Sequence, residues 1–360
     1  MKKIINKKSL NFLKKYINNA APTGYEYTGQ KLWMDYLKPY VDDFITDAYG
    51  TAVAVINPDA NFKVVIEAHA DEISWYVNYI TDNGLIYVIR NGGSDHMIAP
   101  SKKVLIHTEK GTVEGIFGWP AIHTRLKGKE ECPKIENIFV DVGAKNKEEV
   151  DKLGIHVGSV ITYPDEFFVL NKNRYVGRAL DNRMGGFMIA EVGRLLSENK
   201  DKLDFGLYIT NSVQEEIGLR GAQMITETIK PDMVIVTDVC HDTTTPMIDK
   251  KKEGEIEIGK GPVISYAPAI HHKVRDLIIQ TAKKYKIPFQ RLASSRSTGT
   301  DTDAFAYSNG GVPSALISLP LRYMHTTVEN VHKDDVENLI RLMYYTVKEV
   351  DPDMSLSYFE

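Results

Sequence analysis

From residue 166 onward, the chain alternates between short apolar segments and longer segments with helical periodicity. Residues 205–213 and 231–239 are rich in Val, Ile and Leu, while residues 181–200 and 222–230 have a helical pattern. Strands that alternate with helices form a sheet with helices packed against it, so this part of the chain predicts an α/β sandwich. In such sheets, ligands bind at the carboxyl ends of the strands.

Residues 73–165 have a different pattern. Short β-branched segments alternate there with Gly, Asn and Asp turns, which predicts a small β-barrel or sandwich. One helix is predicted, begun by Asn146 and ended by Gly154. We therefore predict a catalytic α/β domain formed by residues 1–72 and 166–360, interrupted by an all-β insertion of residues 73–165. A length of 360 residues agrees with two units, because single cores stop growing at roughly 250–300 residues.

Composition narrows the class of protein. A net charge of -4 and a pI near 6.2 favour neither nucleic acid nor an anionic membrane as partner. The sequence contains no run of uncharged apolar residues that is long enough to predict a membrane span. Lysines interrupt every apolar run at the N-terminus. Cys132 and Cys240 are far apart, which makes a disulfide framework or a thiolate zinc site unexpected. We expect a cytoplasmic protein.

Two adjacent glutamates, Glu215 and Glu216, follow the apolar segment 205–213. On a continuing strand their side chains would point to opposite faces of the sheet. Gly218 and Gly221 end the strand pattern, so the pair is expected at the carboxyl edge of the sheet. There, one glutamate can coordinate a ligand while the other exchanges a proton.

Five further residues stand at predicted element ends. His69 and Asp71 are two apart on a predicted strand and would share a face, so the carboxylate could hold one imidazole nitrogen. Asp181 opens a helix, where a capping role is the alternative. Asp238 closes a fully apolar strand, where an unpaired buried carboxylate would cost several kcal/mol. His325 follows a strand and, taken alone, is one loop histidine among ten.

Taken together, these residue types predict a paired-metal site. The proposed set is His69, Asp181, Glu215, Glu216, Asp238 and His325. Imidazoles with carboxylates suit zinc, cobalt or manganese, and a paired site needs a bridging carboxylate. A water molecule on such metals has a pKa near about 7, and a spare glutamate can transfer its proton to a leaving amine.

The motifs that contain these residues resemble the M42 family of dinuclear metallo-aminopeptidases, which includes glutamyl aminopeptidases and the tetrahedral TET peptidases. The resemblance covers nearly the whole chain through ordered segments: "APTGYE", "AHADE", "GGSDH", "GRALDNR", "QEEIGLRGA", "VTDV", "STGTDTDAF" and "GGVPSALISLPLRYMHTTVE". It implies a zinc-peptidase-like α/β/α sandwich whose chain is interrupted by residues 73–165, which form a separate all-β apical domain. In several family members this domain helps dimers to close into a hollow tetrahedral dodecamer, so the resemblance implies a homo-oligomer.

The resemblance also implies a role for each residue. His69 and Asp238 match the ligands of one metal, Glu216 and His325 match those of the other, and Asp181 matches the bridge; Glu215 matches the general base and Asp71 the residue that orients His69. The implied cofactors are two divalent ions per subunit, with zinc placed ahead of cobalt and manganese. The implied reaction is removal of N-terminal residues from peptides with a free N-terminus, by a water molecule that two metals activate and Glu215 deprotonates.

Departures from the family pattern leave every ligand in place. "AHADEIS" lacks the Met and Gly that are usual in this motif, "DNR" replaces a common Asp-Asp-Arg, and "GWPAIHTRL" is a modified Pro-Pro-His loop. These changes affect what the resemblance implies about the substrate range and the assembly, and they do not affect the implied metal ligands. For His123, within that loop, a structural role is favoured over an approach to a site across a subunit contact.

Two alternative functions remain open at this point. An N-acyl deacylase or carboxypeptidase would keep the metals and cleave a different bond. A metal-free binding or scaffold protein on the same fold would be expected to have lost ligands, and all of them are present.

Overall fold

The structure is a computed structural model that describes residues 4–125, 127–128 and 130–359, so the predicted domain ends at residues 1 and 360 lie outside it. The helices are α1 (Lys7–Ile17), α2 (Tyr27–Leu37), α3 (Lys147–Lys152), α4 (Leu180–Asn199), α5 (Arg220–Ile229), α6 (Lys250–Glu253), α7 (His272–Lys284), α8 (Asp301–Ala306) and α9 (Lys333–Lys348). The strands are β1 (Asp43–Thr46), β2 (Ala52–Ile56), β3 (Lys63–His69), β4 (Ser74–Ile80), β5 (Ile86–Asn91), β6 (Lys103–Thr108), β7 (Gly111–Gly118), β8 (Phe139–Asp141), β9 (Val160–Thr162), β10 (Phe168–Leu170), β11 (Arg174–Gly177), β12 (Gly206–Ser212), β13 (Met233–His241), β14 (Val263–Tyr266), β15 (Gln290–Ala293), β16 (Ser314–Arg322) and β17 (Glu329–His332).

Within the described residues, an 11-stranded sheet has the main path β1-β2-β12-β3-β13-β16-β17-β11-β10, with β14 and β15 paired beside β16. In its centre, β12, β3, β13 and β16 run parallel, while the outer strands are antiparallel. All seven residues of β12 are buried, and nearly all of β13 and β16 are buried too. Burial on both faces requires cover on both sides, which explains the near-continuous apolar sequence of these strands.

Helices supply that cover. The long helix α4 packs on β3 and β13 and is itself contacted by α1, α2 and α9. Helix α5 contacts β12, and helix α8 contacts β13 and β16. The two helices also pack against each other. The strand and helix alternation thus forms the predicted α/β fold. Since β12, β3, β13 and β16 are parallel, their carboxyl ends meet at one edge.

The strands β4 to β9 form a separate closed barrel in the order β4-β5-β8-β7-β6-β9. Its interior is an apolar cluster that includes Trp75, Val88, Ile106, Phe117 and Val140. All of these strands lie between residues 73 and 165, where the sequence predicts an all-β insertion. The exact limits of the two domains stay a prediction.

The helix predicted inside the insertion is α3. Asn146 caps it by accepting a hydrogen bond from the Glu149 amide at 2.9 Å, and Gly154 follows it with φ +84°. Both boundary predictions are confirmed, because capping and left-handed termination depend on local residue chemistry. No helix in the described part of the chain is long and apolar enough to span a membrane.

We predict that Gly221→Ala destabilises the packing of the first turn of α5 against the end of β12. A Cβ at this position would lie 2.3 Å from the Val213 carbonyl oxygen and 2.5 Å from the Val213 nitrogen, which are backbone atoms with little freedom to move. The expected loss is at least about 2 kcal/mol in the free energy of unfolding, measured by urea denaturation of the metal-free protein. Gly177→Ala is the matched control, since its Cβ would meet neighbours only at 3.6 Å or more. Equal stability of the two variants would contradict the prediction.

Candidate metal centre

The edge formed by the parallel strands brings the predicted site residues together. His69 is the last residue of β3 and pairs in register with Ser212, the last residue of β12. Asp238 lies near the end of β13. The remaining members of the set follow an element or begin one: Glu215 and Glu216 after β12, His325 after β16, and Asp181 at the start of α4. Residues far apart in sequence therefore meet because four strand ends coincide.

Three groups of donor atoms among the described residues lie close enough to hold an ion. In each group the atoms lie within 4.8 Å of one another, and the groups are His69–Asp181–Asp238, Asp181–Glu216–His325 and His69–Glu215–Glu216. The first two groups share Asp181. Each combines one imidazole with two carboxylates, and their shared member is the residue that the sequence predicts as a bridge.

The Asp181 carboxylate faces both histidines. Its Oδ1 lies 3.2 Å from Nε2 of His69, and its Oδ2 lies 3.4 Å from Nε2 of His325. Its side chain does not cap α4, and its φ/ψ values are not helical. The capping alternative considered from the sequence is therefore wrong for Asp181, and the carboxylate is directed into the cluster.

In each imidazole, the nitrogen that faces away from the cluster lies close to an oxygen atom. Nδ1 of His69 lies 3.3 Å from Oδ1 of Asp71, and Nδ1 of His325 lies 3.1 Å from the Gly93 carbonyl oxygen. An acceptor at Nδ1 favours the tautomer with hydrogen there, which leaves the Nε2 lone pair free to bind a metal. The strand β3 ends at His69, so Asp71 lies two residues beyond the strand, and the prediction that both side chains share one strand face is wrong.

A short 3₁₀ turn, Glu215–Ile217, explains how two adjacent carboxylates face the same site. Consecutive side chains of a 3₁₀ helix are about 120° apart, whereas those of a strand point to opposite faces. Asp71 holds this turn in place. Its carboxylate accepts hydrogen bonds from the amides of Glu215 at 3.0 Å and Glu216 at 3.2 Å, and from the Thr23 hydroxyl at 2.8 Å.

Left-handed backbone occurs in three loops that carry site residues. His325 itself has φ +61°, Gln214 before the glutamate pair has φ +57°, and Ala179 before Asp181 has φ +56°. Such conformations cost residues other than glycine of order 1–3 kcal/mol and persist only where surrounding contacts hold them. Glu329 provides such contacts, since it accepts hydrogen bonds from the amides of His325 at 2.7 Å and Asp181 at 3.0 Å.

Burial and mutual repulsion shift the ionisation of the cluster. Burial raises the pKa of Glu215 and of Glu216, and burial together with the nearby Asp181 raises the pKa of Asp238 well above its ordinary value. Burial raises the pKa of Asp181, but hydrogen bonds from His325 and His69 lower it by more, so the pKa of Asp181 is below its ordinary value. These carboxylates are thus difficult to ionise together without added positive charge.

The cluster therefore fits a pair of divalent cations. Its nitrogen and carboxylate donors are those that zinc, cobalt and manganese accept. Burying several like charges is costly unless an opposite charge compensates them, and divalent cations supply that charge. Each of the two donor groups that share Asp181 has the atoms that would be needed to hold one ion.

A cavity of about 620 Å³ opens from the cluster. The six cluster residues form part of its lining. The rest of the lining combines apolar and small residues with a few charged ones: Gly218, Leu219, Val239, Cys240, His241, Lys252, Glu253, Leu292, Ala293, Ser294, Thr298, Gly299, Thr300 and Met324. Its size suits a peptide end beside the cluster. Cys240 is buried and packs with Ile256 and Val263, so it behaves as a small apolar residue.

Several buried acids near the cluster were missed by the sequence analysis. Glu329 and Glu26 hold backbone amides of the site loops, and Glu67 and Asp301 are buried where they interact electrostatically with His69. Glu329 stands four residues after His325, and Glu26 ends the "APTGYE" motif, but neither spacing indicates a backbone contact. His123 lies in an exposed turn, Ile122–Thr124, and any role across a subunit contact stays a prediction.

Comparisons with known proteins agree with this arrangement. A family model described as M42 glutamyl aminopeptidase matches residues 50–342. A lysyl aminopeptidase of Pyrococcus furiosus is 36% identical over 343 residues, which cover 94% of this chain and 97% of the relative.

Two solved structures show the same fold. A TET aminopeptidase from a marine sediment Thaumarchaeota archaeon has a TM-score of 0.90 and 28% identity, over 96% of this chain and 97% of that one. A TET1 peptidase of Pyrococcus horikoshii has a TM-score of 0.84 and 25% identity, over 95% of this chain and all (100%) of that one. Such coverage leaves no large part of either structure unmatched.

We predict that Glu26→Gln makes the protein less sensitive to alkaline pH. Oε1 of Glu26 accepts hydrogen bonds from the backbone amides of Gly24 at 2.8 Å and Gln214 at 3.2 Å. The side-chain oxygen of a glutamine can accept the same two hydrogen bonds. Burial, and then the nearby Asp71, raise the pKa of Glu26 to about 7. A carboxyl group whose pKa is higher in the folded protein than in the unfolded chain stabilises the fold at pH values below its unfolded pKa. This stabilisation is lost as the pH rises through the folded pKa.

The stability of Glu26→Gln relative to wild type should therefore increase by about 3 kcal/mol between pH 4 and pH 8. Denaturant unfolding of both proteins in chelator measures this difference, because acids that do not interact with Glu26 titrate alike in both. A constant difference across the pH range would show that Glu26 has an ordinary pKa.

Proposed function

The chain belongs to the M42 glutamyl aminopeptidase family, and from this premise we propose that it removes N-terminal residues from peptides with two divalent metal ions and Glu215 as general base. The observation that carries the proposal is the placement of Asp181 between His69 and His325, with one carboxylate oxygen toward each. That geometry divides the cluster into two donor groups that share one residue. We propose His69 and Asp238 as ligands of one ion, Glu216 and His325 as ligands of the other, and Asp181 as the bridge.

When bound, divalent cations would supply Lewis acidity: they lower the pKa of a water molecule and polarise a peptide carbonyl. The side chains position the rest of the reaction. Asp71 and the Gly93 carbonyl orient the two imidazoles, and Asp71 also holds the backbone of the glutamate turn. Zinc is our first expectation for the ions, with cobalt and manganese as alternatives, because all three accept this donor set.

Glu215 is the group that we propose moves the proton. Both glutamates line the cavity, but Glu216 approaches Nε2 of His325 at 3.3 Å, whereas Oε2 of Glu215 stays 3.8 Å from Nε2 of His69. A carboxylate less engaged with an imidazole is the better candidate for exchange with water. Glu215 would accept a proton from the attacking water and donate it to the departing amine, and such catalysis contributes roughly 10²–10⁴ in rate.

The substrate and the assembly follow the relatives by analogy. The relatives include a lysyl aminopeptidase and peptidases of the TET type, and the Pyrococcus horikoshii peptidase can assemble into a tetrahedron or a large octahedral shell. We propose that this chain also acts on peptides with a free N-terminus and forms a homo-oligomer, with the barrel of β4 to β9 contributing contacts. Analytical ultracentrifugation measures that assembly directly.

We predict that the purified protein hydrolyses aminoacyl anilides with a free amino group and loses this activity in chelator. Zinc, cobalt or manganese added after chelation should restore it. A panel of free aminoacyl anilides, their N-acylated forms and peptides labelled at the C-terminus separates the aminopeptidase from a deacylase or a carboxypeptidase. Cleavage confined to the acylated or C-terminally labelled substrates would refute the proposed reaction.

We predict that Glu215→Gln lowers kcat at least about 10²-fold while both ions still bind, because the amide cannot accept the proton. Asp181→Ala should instead deplete the metal, since it removes the shared carboxylate. Metal content by mass spectrometry and anilide hydrolysis distinguish the two variants. Glu227→Gln, at an exposed position on α5, is the control. Metal loss from Glu215→Gln, or near-normal turnover, would contradict its assignment as the base.

A further inference from the structure

We propose that the inserted barrel positions one half of the metal centre through residues 91–94, called here the 91–94 segment. The inference rests on the metal centre proposed above and goes beyond it, because it assigns a role at the site to a part of the chain outside the α/β domain. The segment begins at Asn91, the last residue of β5, and continues through Gly92, Gly93 and Ser94.

The first observation is the hydrogen bond to the His325 ring. Nδ1 of His325 lies 3.1 Å from the Gly93 carbonyl oxygen, across 232 positions of sequence. With its hydrogen at Nδ1, the ring presents Nε2 toward Glu216 at 3.3 Å and Asp181 at 3.4 Å. A carbonyl in this position sets both the tautomer and the ring orientation.

The second observation is that space requires the glycine at position 93. A Cβ on Gly93 would lie 2.6 Å from both Nδ1 and Cε1 of His325. Gly93 is not among the residues with left-handed backbone, so an alanine would meet no conformational penalty there. The absence of a side chain therefore serves the close approach of the histidine ring rather than the local backbone.

Gly92 makes the corresponding approach to the second proposed ligand. It has φ +77°, and a Cβ on it would lie 3.2 Å from Cβ of Glu216 and 3.1 Å from Cγ2 of Ile73. The two glycines thus contact His325 and Glu216, the proposed ligands that share one ion position. His69 is oriented separately, by Asp71.

Buried hydrogen bonds hold the 91–94 segment in place. Nδ2 of Asn91 donates to the Thr23 carbonyl at 2.9 Å and to the Ser74 hydroxyl at 2.9 Å, while the Ser94 hydroxyl donates to the Ser74 carbonyl at 2.6 Å. Asn91, Ser74 and Ser94 are all buried. The segment is therefore tied both to β4 of the barrel and to the stretch around Thr23, whose hydroxyl supports Asp71.

These contacts predict a selective defect in Gly93→Ala. The new methyl group must displace the His325 ring, so the ion position formed by His325 and Glu216 should lose affinity about 10- to 100-fold, the usual effect of losing an orienting partner. The position formed by His69 and Asp238 should keep its affinity. Titration of the chelated full chain with Co²⁺, followed by visible absorption and by equilibrium dialysis, measures the two binding steps separately.

Two further variants make the result specific. Gly118→Ala is the matched control: its Cβ would lie 2.5 Å from the Phe139 ring in the same barrel, and no contact links it to His325. It should bind two Co²⁺ ions as wild type does. Ser94→Ala removes one anchor without adding bulk, and we expect one of its two Co²⁺ binding steps to be severalfold weaker. Circular dichroism and thermal unfolding of each metal-free variant check that it is folded.

The outcomes separate this inference from the proposed function. Wild-type protein that binds no Co²⁺ would overturn the metal centre and the inference with it. Two unchanged affinities in folded Gly93→Ala would overturn the inference alone, as would an equal loss at both positions or the same loss in Gly118→Ala. If Gly93→Ala does not fold, Ser94→Ala decides: selective weakening of one of the two binding steps supports the inference, and two wild-type affinities overturn it.

Discussion

Repulsion among buried carboxylates is the constraint on which the rest of this structure depends. Asp181, Glu215, Glu216 and Asp238 share one edge of a parallel sheet, where burial raises the pKa of three of them. Such a cluster is unfavourable unless cations or protons neutralise it. The chain belongs to a family of aminopeptidases, and in such a protein the negative charge of the cluster would have a function. Cations held there would activate the water and the carbonyl that peptide hydrolysis requires.

The backbone around the cluster is held by acids that do not face it. Asp71 binds the amides of the glutamate turn, and Glu329 binds the amides of Asp181 and His325. These contacts hold loops that contain left-handed residues, including His325 itself. Strain of this kind persists at functional sites because the surrounding structure determines it more strongly than local preference does. The site is therefore built from two layers of carboxylates, one directed into the cluster and one at the backbone.

The barrel has a second consequence for the site besides any part in assembly. Its 91–94 segment approaches His325 and Glu216 through two glycines, while its own hydrogen bonds reach β4 and the stretch around Thr23. A movement of the barrel relative to the sheet would thus reach one ion position before the other.

The sequence by itself determined the α/β alternation, the barrel region, the cap at Asn146 and the residue types at strand ends, because periodicity and turn chemistry are local. Strand ends of a parallel sheet meet at one edge, so the proposed ligands could be predicted together. Only the tertiary structure decided that Glu329 holds two backbone amides and that the Gly93 carbonyl meets the His325 ring. Those contacts join atoms of distant segments, and nothing in the local pattern of either segment specifies its partner.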